Sequence, residues 1–505
     1  MTEDQLKCIA PPSDNSVWAP PLDARDLAVR LEAEGVTASV AQTCHGFGDV
    51  WSMAEAYLPL AQAQRAVDPP LAKTPHVFRE YLKGMAFATP LLASCLVVLF
   101  TRVSLWGGSL SGNEAAAIAI ATITSFVVTG GFIQIIGRQG HFYKETRQWS
   151  LCYLSCWSFL KAGFAALLAC VLFGLLANSY FRSLPLTLFG FCAAFSFGIG
   201  AYLLAGGLLY IFDGEILLAF GTLAGAAIVL FLRLKLQEPL LVSQMAGILT
   251  AAMLCILFAF FRFRRLRAHR AEPARLPSLS RLVYVLWPYF AYGFVYYGFL
   301  FADRIIAWSA HTESAPLPLV FHGGYETALD LSLFAFILQV GWIRAAVARF
   351  YRLVTAEQAR CPLSAGGRIT SVVLRFYKRQ MLVFAALSVF STGAVLLAVE
   401  RIHALQAILV FRVAVLVLAG TPLLVIGLWH IALLFALSRP QLALAAIAAA
   451  LGFDICAGYL LSRLYTYDLA IIGFDLGACA LACISGWYCR RLLANFEYHY
   501  FAANI

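Results

Sequence analysis

Residues 282–310 read LVYVLWPYFAYGFVYYGFLFADRIIAWSA, with two charges, Asp303 and Arg304, near the far end. A helix of that length, rising about 1.5 Å per residue, crosses a hydrocarbon core of roughly 30 Å with some tilt. Tyr289, Tyr292, Tyr296, Phe299 and Asp303 fall at i, i+3, i+7, i+10 and i+14, which puts an aromatic stripe and a carboxylate on one helical face. Pro288 is expected to kink the start of the stretch. A charge at membrane depth costs about 2.5–3.5 kcal/mol even on the forgiving insertion scale, so Asp303 and Arg304 are expected to face protein or water and not lipid.

The next apolar segment, Leu319–Ile343, follows the short loop Thr312–Pro318, so the two segments form an antiparallel hairpin. Glu326 and Asp330 are i,i+4 and share a face. Counting inward from the loop brings Asp330 to nearly the depth of Arg304. The expected contact is Asp330–Arg304, which leaves Asp303 and Glu326 as net negative charge beside the tyrosines. Two readings stay open: a structural ion pair locking two helices, or part of a polar translocation path, because charges inside a membrane are candidates for function.

Composition fixes the class. The 505 residues are 61% hydrophobic and 13% charged, with a mean hydropathy of +0.78, whereas soluble chains are about 45–50% apolar and about 25% charged. Apolar runs approach or exceed the length of a spanning helix, while barrel strands would alternate over about 10 residues. The expected fold is an all-α polytopic membrane protein with about twelve transmembrane helices in two six-helix bundles. The spans run from Met85–Trp106 to Leu469–Tyr488. Residues 1–80 form an N-terminal extension, 81–261 the first bundle, 262–281 a basic linker, 282–489 the second bundle and 490–505 a C-terminal tail. Asp23–Glu34 and Phe47–Ala66 are candidate short helices within the extension.

The net charge of +10 is unevenly placed: residues 1–75 hold five Lys/Arg against ten Asp/Glu. Basic residues gather in alternate loops, namely Arg138–Arg147, seven arginines in Arg262–Arg281, eight basic residues from Arg344 to Arg379, and Arg490–Arg491. The positive-inside rule then puts both termini in the cytoplasm, with Arg233 and Lys235 voting the other way. Such loops orient a membrane protein and can hold anionic lipids; nucleic-acid binding is a poor explanation for them. The segment Arg344–Lys378, basic with interleaved apolar residues, reads as a helix lying in the membrane interface. The linker between the halves suggests two bundles that rock against each other.

Catalytic signatures are missing: there is no P-loop, no His-Glu-x-x-His and no Gly-x-Ser-x-Gly. The chain therefore reads as a non-enzyme with no cofactor and no metal site. Cys152 and Cys156 share a helix face without a second ligand pair, and the other cysteines sit mostly in apolar runs as small hydrophobes. His430 reads as a hydrogen-bonded core histidine. Arg412 and Asp475 have opposite signs at similar depths and are expected to pair structurally. Asp454 has no obvious partner and is a candidate for a proton or substrate role.

Three stretches carry a family likeness. Phe301-Ala302-Asp303-Arg304-Ile305-Ile306-Ala307-Trp308 resembles the aromatic-Ala-Asp-Lys/Arg-hydrophobic-Trp motif of Pel-type exopolysaccharide exporters (PelG-like proteins). Tyr325–Phe336, with Asp330-Leu331, resembles the segment that follows it. Arg490-Arg491-Leu492-Leu493 and Phe496-Glu497-Tyr498-His499-Tyr500-Phe501 resemble that family's C-terminal ending. The likeness covers residues 280–505 well and 80–260 faintly, and residues 1–75 depart from it. It implies a bacterial inner-membrane protein of the multidrug/oligosaccharidyl-lipid/polysaccharide flippase superfamily. Such a protein moves an amino-sugar polymer outward, with a cytoplasmic glycosyltransferase and small inner-membrane proteins as partners. Asp303, Arg304, Glu326, Asp330, Tyr289, Tyr292, Tyr296 and Asp454 are then the expected substrate path. The alternatives are a lipid-linked oligosaccharide flippase, an ion-coupled small-molecule exporter, or a scaffold of a polysaccharide synthase complex.

Overall fold

The computed structural model describes residues 23–33, 36–63, 77–101, 112–182, 184–267, 276–310, 319–358, 367–401 and 408–504. These are almost entirely helical, and among the described residues there is no strand. Three short helices come first, α1 (Ala24–Ala33), α2 (Ala38–His45) and α3 (Val50–Ala63), followed by α4 (Val77–Phe87) and α5 (Thr89–Thr101). Then come α6 (Gly112–Glu145), α7 (Trp149–Phe181), α8 (Leu186–Ile211), α9 (Glu215–Leu234), α10 (Leu240–Arg267) and α11 (Leu279–Trp308). After them lie α12 (Gly323–Gln358), α13 (Arg368–Arg401), α14 (Ile408–Ala436), α15 (Pro440–Leu464), α16 (Ala470–Ala494) and the short α17 (Phe496–Asn504). Among the described residues, the eleven helices α6–α16 are long and apolar enough to cross a membrane. The chain is an all-α polytopic membrane protein.

The remaining expected span, Met85–Trp106, is described only to Thr101, where α4 and α5 meet at a break around Ala88. Thr89 Oγ1 donates to the Ala86 carbonyl at 2.6 Å there, and Pro90 occupies the first turn of α5, where its missing N–H does no harm. The loop Thr312–Pro318 and residues 268–275 of the expected linker lie outside the described residues.

The spans hold together in the manner of membrane helices. Large apolar side chains point outward, as Leu382, Val389, Phe390 and Leu397 do from α13, because lipid rather than water receives them. Small residues line the close helix contacts. Gly130 and Gly293 bring the backbones of α6 and α11 so close that a Cβ on Gly130 would stand 2.7 Å from the Gly293 carbonyl oxygen. Gly473 does the same for α16 against α15, where a Cβ would meet the Gly458 nitrogen at 2.6 Å. Buried polar groups pair across helices: Gln339 of α12 donates to Ser391 Oγ of α13 at 2.8 Å, and His430 of α14 meets Ser485 of α16 at 3.2 Å. His430 is thus the interhelical histidine its sequence context suggests.

The ends of the spans sort onto two sides. Lys144, at the end of α6, donates to the Ile211 carbonyl at the end of α8 at 2.7 Å, which places both with the basic loops. On the opposite side, Arg463 of α15 donates to the Ser309 carbonyl after α11 at 2.8 Å, and His322 stacks on Tyr467 at 3.9 Å between centroids.

By compactness, residues 78–347 and 379–492 form one unit, and residues 1–77, 348–378 and 493–505 another. The second of these contains the N-terminal helices, which pack around Leu27, Leu31, Ala41, Met53 and Tyr57; α1 and α3 fall where the two candidate short helices were expected. Its C-terminal part is fastened by Glu497, whose carboxylate accepts from the backbone N–H groups of Gly367, Ile369 and Thr370 at 2.9, 3.0 and 3.2 Å. A carboxylate there satisfies orphan donors at the start of α13 and complements the helix dipole. The expected interfacial helix over Arg344–Lys378 is corrected: α12 runs unbroken through Arg344 to Gln358, and Arg368–Lys378 is the first part of α13. Nothing in 344–358 stops a helix, so at about 1.5 Å per residue the spanning helix simply continues past membrane thickness.

Candidate functional site

Helix α11 has two working faces. Phe290, Gly293, Tyr297 and Phe301 meet α6, with Phe126 packed against Tyr297 at 5.2 Å and Phe301 at 5.5 Å. The other face carries the tyrosine stripe, Phe299 and Asp303 toward α14, α15 and α16. Tyr289 and Tyr292 pack on Phe435 at 5.4 and 4.9 Å, and Tyr292 stacks on Tyr296 at 5.9 Å. Arg138 of α6 lies over the Tyr289 ring at 5.6 Å. Phe299 stacks on Phe474 of α16 at 5.5 Å. The stripe is therefore continuous, as its spacing requires, and neighbouring protein covers Tyr289 and Tyr292, both buried.

Asp303 is buried to 1% exposure. One carboxyl oxygen accepts from the Tyr325 hydroxyl of α12 at 2.7 Å; the other lies 3.9 Å from Arg304 Nη1 and has no hydrogen-bond partner among the described residues. Arg304 turns instead to Glu326, donating from Nε at 3.1 Å. Trp308 Nε1 donates to the second Glu326 oxygen, also at 3.1 Å. This corrects the expected pairing. Glu326 takes the Arg304 Nε and is not left as free negative charge, Nη1 donates to the Leu300 carbonyl at 3.0 Å, and Asp330, one turn further along α12, lies within the field of Arg304. The physical reason is depth: Glu326, one turn nearer the start of α12 than Asp330, sits beside the end of α11, where Arg304 and Trp308 (i,i+4) present their donors together.

The second correction concerns Arg412. It pairs with Asp468, at 3.4 Å, in the turn that precedes α16, and not with Asp475. Asp475 stands against α14 at Gly420, where any Cβ would collide with its carboxyl group. Asp454 of α15 is fully buried, and neither of its carboxyl oxygens has a hydrogen-bond partner among the described residues. Its neighbours are small: Gly477 and Gly473 of α16 crowd its Cβ and backbone. It lies within the electrostatic reach of both Asp303 and Asp475. Helices α11, α15 and α16 thus carry three carboxyl groups within electrostatic reach of one another, each with at least one oxygen that lacks a hydrogen-bond partner among the described residues. Leaving such an atom unsatisfied costs about 1–3 kcal/mol, and more if it is charged. Chemically, a carboxyl group in such a setting can take up and release a proton.

The sequence marks Asp303 and Asp454 on separate helices but does not relate them; a signal lies in the glycines of the neighbouring helices, where Gly458 of α15 faces Ile306 of α11 and Gly477 of α16 faces Phe299 of α11. Tyr325 and Trp308 are partners that sequence reasoning misses. Arg344 counts there only as a loop charge, although it sits among Glu80, Asp213 and Glu215.

No family model matches the sequence, and no curated protein matches it. Solved structures do. An outward-facing conformation of a multidrug resistance MATE family transporter of the MOP superfamily superposes with a TM-score of 0.56 at 12% identity, covering 84% of this chain and 96% of that one. The Vibrio cholerae MATE transporter VcmN, in its bent form, gives 0.54 at 14% identity over 84% and 98% of the two chains. An inward-facing MATE transporter of the same superfamily gives 0.50 at 11% over 85% and 97%. The chain has a MATE-like transporter fold.

Proposed function

We propose that this chain is an ion-coupled membrane transporter whose cargo is an exopolysaccharide containing amino sugars. The observation that carries the coupling is Asp454, buried with both carboxyl oxygens unpartnered beside Asp303 and Asp475. A buried carboxyl group without protein partners, kept at a net cost, is a candidate for function. In one state of the cycle it holds a proton; in the other it gives it up. The helices before and after the 262–281 linker are the two bundles that alternate access, and α11 on α6 is one of their contact lines. The basic loops support cytoplasmic termini in a bacterial inner membrane.

The polymer assignment is supported by the likeness of residues 301–308, 325–336 and 490–501 to Pel-type exporters. By the same likeness, a cytoplasmic glycosyltransferase and small inner-membrane proteins would hand over the chain as it grows. The second reading is an ion-coupled small-molecule exporter. The similarity to multidrug MATE transporters favours it, and the same carboxylates would serve it.

The test is deletion of the gene with polymer measured separately at the surface and in the cytoplasm. Loss at the surface with synthesis intact supports polymer export. Unchanged surface polymer removes the polymer reading and leaves the small-molecule one.

A further inference from the structure

On the basic-loop side, far along α12 from the carboxylates, Arg344 reaches three acids at once. Nε donates to Glu80 of α4 at 3.3 Å, Nη2 to Asp213 in the α8–α9 turn at 2.9 Å, and Nη1 to Glu215 at the start of α9. Lys83 and Lys144 each approach Asp213 at 3.4 Å from other helices. Three cations thus face three carboxylates, with no net charge left over. The arrangement is built rather than incidental. Glu215 is buried to 1% exposure and sits in the first turn of α9, where the helix dipole favours an anion. Asp213 adopts the left-handed backbone region, at φ 53°, a conformation Asp tolerates better than most residues. Beside the charges, Tyr81 donates to the Leu338 carbonyl at 3.0 Å, and Gly84 and Gly341 let α4 and α12 touch backbone to backbone.

We propose that Arg344 with Glu80, Asp213 and Glu215 is an ionic latch that holds this side of the transport path shut, and that opening requires Arg344 to leave all three acids together. The proposal rests on the reading that helices before and after the 262–281 linker move against one another. Arg344 belongs to the later set and every partner to the earlier one. Because one rigid guanidinium fork serves three carboxylates, the latch parts as a unit rather than by degrees, which makes a two-state element. Partial burial keeps it from being screened as surface pairs are.

The test is hydrogen–deuterium exchange on the full-length chain in lipid nanodiscs, which needs no cargo. Arg344→Gln and the milder Asp213→Asn, at a half-exposed position, are compared with Arg344→Lys. Expected is a rise of roughly tenfold, the worth of one charge-assisted hydrogen bond, in exchange at residues 77–87, 209–216 and 338–345 for the first two. Residues 457–470 on the opposite side should stay unchanged, and Arg344→Lys should stay near wild type. Unchanged exchange at the three latch segments in both Arg344→Gln and Asp213→Asn, or an equal rise at residues 457–470, overturns the latch. Should the latch segments open as expected while no variant, nor the wild type, moves cargo, the latch stands and the transport reading fails.

Discussion

Replacing Asp454 by Asn separates a residue kept for function from one kept for the fold. Asn has nearly the same shape, so the tight contacts with Gly473 and Gly477 survive. What disappears is the ionisable carboxyl group, in a site where both oxygens lack partners among the described residues and where Asp303 and Asp475 lie within electrostatic reach. An unsatisfied buried polar atom is worth about 1–3 kcal/mol, and a charged one more. Asn still needs hydrogen bonds that the site does not offer, so only part of that is recovered. Stability should be unchanged or higher by about 1 kcal/mol, while ion-coupled transport falls to background. The assay pairs thermal unfolding of the purified full-length chain with export measured at matched expression. A marked fall in unfolding temperature together with lost export would make Asp454 a structural residue, and full export in the variant would remove it from the coupling step.

Gly293→Ala should weaken the contact of α11 with α6 by about 1–3 kcal/mol, because the new methyl has no room beside Gly130 and Gln134; thermal unfolding reads the loss. Glu497→Ala removes the acceptor for three backbone donors at 367–370 and should lower stability by about 0.5–2 kcal/mol, visible as faster hydrogen exchange at residues 367–371. Acid should loosen the Arg344 latch in a defined window. Burial pushes the Asp213 carboxyl up, but Lys144, Lys83 and Arg344 outweigh it and hold it below its usual value. Its stabilising contribution is therefore complete above the unfolded value of about 4 and fades as pH falls through the lower folded value. Exchange at residues 209–216 should be flat from pH 7 to about 5, after correction for intrinsic rates, and rise only below about 4.

Legible in the sequence is whatever one helix decides by itself. The 282–310 stretch fixes a spanning length and its aromatic stripe, and the structure keeps both in the helix Leu279–Trp308. Pairings between helices are harder, because they depend on rotation and depth that spacing leaves free. Counting from a loop gives Asp330 to Arg304, yet the two acids share one face of α12, and an error of one turn in depth, about 5.4 Å, is enough to bring Glu326 there instead. Depth alone matches Arg412 to Asp475, when a turn residue, Asp468, is nearer. Arg344 looks like an orientation signal because nothing local marks Glu80 and Asp213 as its partners; they arrive from residues 130 or more positions away. Arg344–Lys378 misleads for the reverse reason: its amphipathic pattern fits an interface helix and a prolonged span equally.

Proteoliposomes holding the full-length chain, with a pH-sensitive dye inside and a glucosamine-rich oligomer outside, test the central claim directly. The expected result is an oligomer-dependent proton flux in wild type that is absent in Asp454→Asn. Flux equal in both, or oligomer entry with no proton movement in wild type, would contradict coupling through the buried carboxylates.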